Sequence, residues 1–492
     1  MLAKRLIFLV LSTCLLAAGC APLEPAPAQA QLAADPTARP IPQATPSVTP
    51  LPTRPPYLPG TLVDYTVQPG DTLVVLALRF NTSVAEIRAN NTGIPELVTT
   101  LPPGMPMKIP IYYQPLWGSP YQILPDELFV NGPAQVGFST GSFISGHSGW
   151  LKDYRGSAGT DMRSAGEIID IVARDYSVSP RLLLALVEYN SHGLSSPSAP
   201  PGSDQQPLGF TTGDYTGLYL QLVWAANTLN NTYYDDRAGR ITQIDHLDGT
   251  MERPDPWQNP ATIALQIYYN RYLSGSDYAR AIGPDGFAAT YTQLFGDPWQ
   301  NRQPHIPGNL QQPAFQVPFE PNKTWAFTGG PHTGWGTGAP YAAIDFAPPS
   351  TASGCIPSGE WVTAMADGVV VRAEDGLIME DLDGDGNEQT GWDILYLHVV
   401  HDDTIAKGLV LHTGDRLGHP SCERGEATGT HAHLARKYNG EWMEAGGIVP
   451  FDLEGWVVHA GNAAYVGSMT KLGRTLTACV CSDHNTFLKH GD

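Results

Sequence analysis

Basic residues are scarce in this chain of 492 residues: 28 Lys and Arg stand against 48 Asp and Glu, a formal charge of −20. That balance argues against nucleic acid as a partner, because a phosphate backbone calls for a cationic face. Long apolar runs are equally scarce. The continuous one, Leu6–Ala18, is too short to span a bilayer, and no other segment comes closer. Cysteine is sparse, at positions 14, 20, 355, 422, 479 and 481. No His-Glu-x-x-His occurs, which excludes the helical two-histidine zinc site. The length exceeds what one core usually organises, so about three domains are expected.

The start of the chain reads as a targeting segment. Lys4 and Arg5 precede the apolar run, and Leu16-Ala17-Ala18-Gly19-Cys20 closes it. The closing motif resembles a bacterial lipobox, with Ala17 where Leu is usual. The resemblance implies a signal peptide over 1–19 and lipidation of Cys20, hence a membrane anchor outside the cytoplasm. Export permits disulfides. Cys355 and Cys422 fall in one domain and are a candidate pair, whereas one intervening residue disfavours a bridge between Cys479 and Cys481. Residues 20–60 are rich in Pro, Ala, Thr and Gln. Such a composition buries too little to offset ordering entropy, and a semi-extended tether is expected.

Residues 61–112 read strand, helix, helix, strand. Tyr65-Thr66-Val67 has strand character, Gln68-Pro69-Gly70 is a turn, and Asp71 is placed to cap a helix starting at Thr72. Leu73, Leu76, Ala77 and Phe80 recur at helical spacing. Ser83 and Glu86 form a capping box for a second helix, and Met107-Lys108-Ile109-Pro110 is the closing strand. With Asn90-Asn91, the module resembles a LysM domain, which implies binding to peptidoglycan glycan strands.

Residues 121–300 read as mostly helical. Ser164 and Glu167 make another capping box, Ser179-Pro180 opens a further helix, and helices are expected over 218–229, 263–273 and 287–295. The helix through Glu188 and Asn190-Ser191 loosely resembles the catalytic helix of lytic transglycosylases. Asn190 stands where that chemistry needs a carboxylic acid, and a neutral amide cannot protonate a glycosidic oxygen. A structural or glycan-holding helical domain is expected instead. Residues 300–314, rich in Gln, Pro and Asn, read as a linker.

From 315 to 492 helical periodicity is nearly absent. Short β-rich runs cover 361–364, 368–373, 394–398, 409–411 and 416–418, and predict an antiparallel sheet domain. His431-Ala432-His433 places two imidazoles on one strand face. Around it stand Tyr396-Leu397-His398, Ile344-Asp345-Phe346, Val362-Thr363-Ala364 with Gly368-Val369-Val370, and Gly414-Asp415-Arg416-Leu417-Gly418. Together these resemble the LytM-type, lysostaphin-like zinc metallopeptidases. The resemblance implies one Zn2+ held in part by Asp345 and His433, with His398 and His431 as catalytic histidines outside the metal's ligand set. A catalytic zinc takes three protein ligands. Most of the family has His four residues before the Asp, where this chain has Tyr341. A β-lytic, staphylolytic branch puts it thirteen before, after Gly-Gly; here Gly329-Gly330-Pro331-His332 makes His332 the implied third ligand. His401, His412, His419 and His459 are expected to be structural or solvated.

Asp381-x-Asp383-x-Asp385-Gly386 resembles the opening of a calcium loop, but position twelve is Trp392, where the bidentate Glu belongs. An acidic hairpin turn is therefore the expected reading, with calcium at Asp381, Asp383 and Asp385 as the alternative. Two functions compete for the whole chain. One is a LysM-targeted zinc endopeptidase cutting peptidoglycan stem peptides or cross-bridges. The other is a non-catalytic wall-binding lipoprotein that regulates another hydrolase.

Overall fold

The computed structural model describes residues 48–211, 213–350, 353–481 and 483–492. The segment read as a signal peptide, Cys14, Cys20 and most of the Pro-rich stretch lie outside these residues. Among the described residues no helix is long and apolar enough to cross a membrane.

The first region is a two-stranded sheet with two helices: β1 (Thr61–Thr66), α1 (Leu73–Arg79), α2 (Val84–Asn90) and β2 (Pro106–Ile111). β1 and β2 pair antiparallel, and Tyr65, Leu76, Phe80, Ile87 and Ile109 pack between sheet and helices. The Ser83–Glu86 capping box is formed. The cap of α1 differs from expectation. Thr72 caps it by accepting from the Val75 N–H, while the buried Asp71 accepts from the Tyr65 hydroxyl and the Gln68 N–H.

The second region is helical: α3 (Thr140–Ser145), a hairpin of β3 (Arg155–Ala158) and β4 (Asp161–Ser164), α4 (Ala165–Tyr176), α5 (Pro180–Ser191), α6 (Gly217–Arg237), a hairpin of β5 (Ile244–Asp245) and β6 (Met251–Glu252), α7 (Pro260–Asn270), α8 (Gly275–Ile282) and α9 (Phe287–Phe295). Ser164 and Glu167 cap α4 reciprocally, and Ser179 caps α5 with Pro180 at its first position. Glu188 is engaged structurally, accepting from the N–H groups of Leu194 and Ser195 and the Ser195 hydroxyl.

The third region is built on strands: β7 (Thr324–His332), β8 (Ala343–Ala347), β9 (Val362–Thr363), β10 (Gly368–Glu374), β11 (Leu377–Asp381), β12 (Trp392–Leu397), β13 (Val399–Val400), β14 (Val410–Leu411), β15 (Arg416–Pro420), β16 (Ala432–Tyr438), β17 (Glu441–Trp442), β18 (Asp452–Leu453), β19 (Trp456–Ala460), β20 (Gly467–Lys471), β21 (Arg474–Thr477) and β22 (Phe487–Lys489). The main sheet runs β14-β10-β11-β12-β16-β8-β7-β22, with β17 hairpinned onto β16. Every pairing along it is antiparallel.

Both faces of this sheet are covered, and side-chain alternation assigns each residue to one of them. Ile344, Phe346, Ile378, Ile394, Tyr396 and Leu434 point into a core shared with Phe319, Trp325 and Trp456. Their neighbours Ala343, Leu377, Met379, Leu395, Leu397 and Ala435 point the other way, into the core of the helical region. The helical region is therefore packed onto the sheet rather than tethered beside it.

Two segments expected to be loose are ordered contacts. In the stretch read as a linker, His305 is buried and donates to Glu441 at 2.6 Å, and Asn439 donates to the His305 carbonyl. At the end of the Pro-rich tether, Arg54 pairs with Asp255 at 2.8 Å and covers the Trp257 ring. Composition alone could not reveal these, because the anchors are scattered residues with no periodic pattern, such as Ile306 and Leu310 in the first stretch and Leu51 and Arg54 in the second.

Candidate active site

Asp345 on β8 and His433 on β16 are directly opposed in register. Ile344 and Leu434 face the other core, so alternation turns Asp345 and His433 toward the helical side of the sheet. His332 ends β7, the next strand over. The His332 Nε2 lies 3.0 Å from His433 Nδ1, and each lies 3.3 Å from Asp345 Oδ1. All three side chains are buried.

Backbone carbonyls fix which ring atoms face inward. His332 Nδ1 donates to the Gly330 carbonyl at 2.8 Å, and His433 Nε2 donates to Gly334 at 3.3 Å. A carbonyl only accepts, so the facing nitrogen carries the hydrogen and the inward nitrogen keeps its lone pair. Asp345 Oδ1 is buried and has no hydrogen-bond partner. Two inward lone pairs and an orphaned carboxylate oxygen suit a shared cation. Their spacing fits as well, since ligands at zinc distances on a tetrahedron lie about 3.3 Å apart. Burial alone would raise the Asp345 pKa, but His332, His433 and His431 outweigh it and hold the carboxyl well below its usual range. His332 is raised: burial lowers it, and the Asp345 charge more than compensates. Burial lowers His433.

His398 and His431 stand beside this cluster with ring centroids 4.6 Å apart. His431 Nε2 is 3.7 Å from Asp345 Oδ1, and its Nδ1 donates to the Gly429 carbonyl at 2.7 Å. His398 Nδ1 donates to the Glu423 carbonyl at 2.9 Å. Burial first, and then the charge of His431, pushes the His398 pKa down to about 4. His398 is not within a strand as the sequence suggested. It sits between β12 and β13 at φ 61°, in the left-handed region. An extended residue there would share the face of Tyr396 and point away from the site. The left-handed turn reverses it, at a backbone cost of about 1–3 kcal/mol.

The segment that holds His398 is cross-linked. The N–H and hydroxyl of Ser421 donate to the His398 carbonyl, Glu423 accepts from its ring, and Cys422 between them is bonded to Cys355 at 2.08 Å. Cys479 and Cys481, disfavoured as a pair by their spacing, are also bonded in the structure, at 2.20 Å.

These histidines open into a cleft of about 1110 Å³. One wall belongs to the sheet region, with Trp335, Arg424 and Tyr465; the other belongs to α4 and α6, with Asp175, Tyr176 and Tyr219. The Tyr465 ring stacks on His332 at 4.1 Å. The loop carrying Trp335 is pinned to α6: Asn227 exchanges hydrogen bonds with Thr337, and Asn231 donates to the Thr337 carbonyl. These supporting residues escaped sequence reading. Gly330, Gly334, Gly429 and Glu423 act through backbone carbonyls, which leave no residue signature, while Asn227 reads as an ordinary polar position on a helix and Asn231 falls past its expected end. The remaining histidines lie elsewhere; His419, for example, donates to the Glu360 carbonyl and packs on Trp361.

Family models match two parts of the chain: a LysM domain over residues 65–110 and a LasA N-terminal domain over residues 122–309. Protease LasA of Pseudomonas aeruginosa strain UCBPP-PA14 is 23% identical over 345 residues, covering 66% of this chain and 75% of that protein. The same protein of strain PAO1 is 22% identical over equal shares. Among solved structures, an M23 metalloprotease, pseudoalterin, from the deep sea is 23% identical, with 34% of this chain and 96% of that chain covered and a TM-score of 0.29. The catalytic domain of lysostaphin from Staphylococcus simulans is 21% identical, with 25% and 90% covered and a TM-score of 0.18.

Proposed function

We propose that this chain, a LysM-containing relative of the LytM-type peptidases, is a zinc-dependent endopeptidase acting on peptide bonds of bacterial peptidoglycan. The observation that carries the proposal is the buried triad of inward ligand atoms, His332 Nε2, Asp345 Oδ1 and His433 Nδ1, beside two further histidines in an open cleft. On this reading the triad holds one zinc ion. When bound, zinc acidifies water and polarises a carbonyl as a Lewis acid.

The chain's own residues supply the rest. Carbonyl hydrogen bonds hold the Nδ1–H of His398 and His431, so each ring turns its Nε2 lone pair toward the cleft. One ring accepts the proton from attacking water and returns it to the leaving amine; the other takes a proton from solvent on its Nε2 and through it donates a hydrogen bond to the oxyanion. Trp335, Tyr176 and Tyr219 give the cleft flat apolar walls for an extended peptide, while the charges in its lining are already paired, Asp175 with Arg372 and Arg424 with Glu374. The LysM region supplies affinity for the glycan, and lipidation of Cys20 anchors the chain outside the cytoplasm.

Digestion of purified peptidoglycan tests this reading. New free amino termini, without new reducing ends, are expected from the parent chain and absent from Asp345→Ala. Release of reducing ends would overturn the endopeptidase assignment.

A further inference from the structure

The hairpin joining β11 to β12 carries Asp381-Leu382-Asp383-Gly384-Asp385-Gly386-Asn387. Its three aspartates bring one carboxylate oxygen each within 4.8 Å of one another. Backbone N–H groups of the turn hold them there: Asp381 accepts from Asp383, Gly384 and Gly386, and Asp383 from Asp385. By itself this is an acidic turn.

Asp393 changes the reading. It is fully buried, and neither of its carboxylate oxygens has a hydrogen-bond partner. Strand register places it directly across from Asp381, with both side chains on one face of the sheet. Asp383 Oδ2 lies beside Gly391, two residues before Asp393, where an added Cβ would come within 2.4 Å of it. The neighbouring cations are committed elsewhere. Lys437, opposite Asp393 on β16, donates to the side chain and carbonyl of Glu388, and Arg372 pairs with Asp175 and Glu388. A buried carboxylate without a partner is costly and calls for a cation.

We propose that Asp381, Asp383, Asp385 and Asp393 form a calcium site, separate from the histidine cluster. The donor set is entirely oxygen, which suits a hard cation taking six to eight oxygens and offers nothing to a metal that prefers nitrogen or sulfur. The spacing of Asp at one, three and five with Gly at six is that of a calcium loop. The carboxylate missing at position twelve arrives at thirteen. The chain leaves this loop as a strand, and alternation turns Trp392 away and Asp393 inward. The same loop touches the helical region, where Gln389 donates to Asn131. Calcium therefore stiffens the hairpin that meets that region.

The test uses the full chain with zinc supplied and calcium removed by dialysis. Adding Ca2+ is expected to raise Tm with one ion bound per chain. Tb3+ is expected to give emission sensitised by Trp392 that Ca2+ displaces. Asp385→Asn, at an exposed position that leaves the fold intact, should weaken Ca2+ binding by about 10-fold or more. Asp393→Asn should abolish the rise in Tm. No calcium-dependent Tm shift in the parent, parent-like affinity in Asp385→Asn, or an Asp393→Asn that loses equal stability with and without calcium would each overturn the proposal.

Discussion

At the scale of single residues, the five clustered side chains divide by what their inward atoms meet. His332, Asp345 and His433 converge on one another within 3.3 Å, whereas His431 stands 3.7 Å from the carboxylate and His398 packs behind it. His433→Ala should therefore lose zinc along with activity. His431→Ala should keep zinc and lower turnover by about 10²–10⁴-fold, the range for a proton-transfer group. Metal analysis beside peptide-cleavage rates checks both, and equal zinc loss in the two variants would contradict the division. Most of this was legible beforehand, because strand alternation joins His431 to His433 and a fixed offset ties His332 to Asp345. The orientation of His398 was not, because it depends on one left-handed backbone angle that no histidine signals.

At the scale of elements, the Cys355–Cys422 bond fastens the segment 421–423 that grips His398. Cys422→Ser should cost about 2–4 kcal/mol of stability and lower turnover while zinc content stays constant. Unchanged turnover would show that the grip on His398 does not need the cross-link. On the other side of the cleft, α6 runs to Arg237, well past the expected stop near residue 229. Asn230 and Asn231 look like a helix end in sequence. In the structure their amides donate to the carbonyls of Tyr176 and Thr337, so tertiary partners satisfy what would otherwise break the helix. The strands were easier to place than the helix ends. Runs such as Ile394–Leu397 are apolar throughout because both sheet faces are covered.

At the scale of the whole molecule, the three regions share buried charges. Arg79 of the LysM region pairs with Asp236 of α6 at 2.6 Å. Arg79→Ala leaves that carboxylate without its partner and should cost about 3–5 kcal/mol, read from denaturant unfolding. Removal of residues 61–112 would strip the same contact, so an intact fold must be verified before any loss of wall binding is assigned to the LysM region. Glu441 is the second junction. Burial would raise it, but Arg237, His305 and Tyr233 outweigh that and bring its pKa down to about 2. A carboxylate depressed in the folded state contributes stability above its unfolded pKa, near 4.5, that is lost as pH falls toward 2. Glu441→Gln should flatten that acid limb, removing on the order of 2–3 kcal/mol of pH-dependent stability. An unchanged limb would place the acid sensitivity elsewhere. None of these junctions was legible in sequence, because each pairs residues from separate regions with no local pattern between them.

The most direct test of the central claim is zinc content and peptidoglycan cleavage of the purified chain beside His332→Ala. The account predicts about one tightly held zinc per parent chain with new amino termini in the digest, and loss of both in the variant. A parent chain that binds wall material but holds no zinc at the histidine cluster and releases no new termini would contradict it.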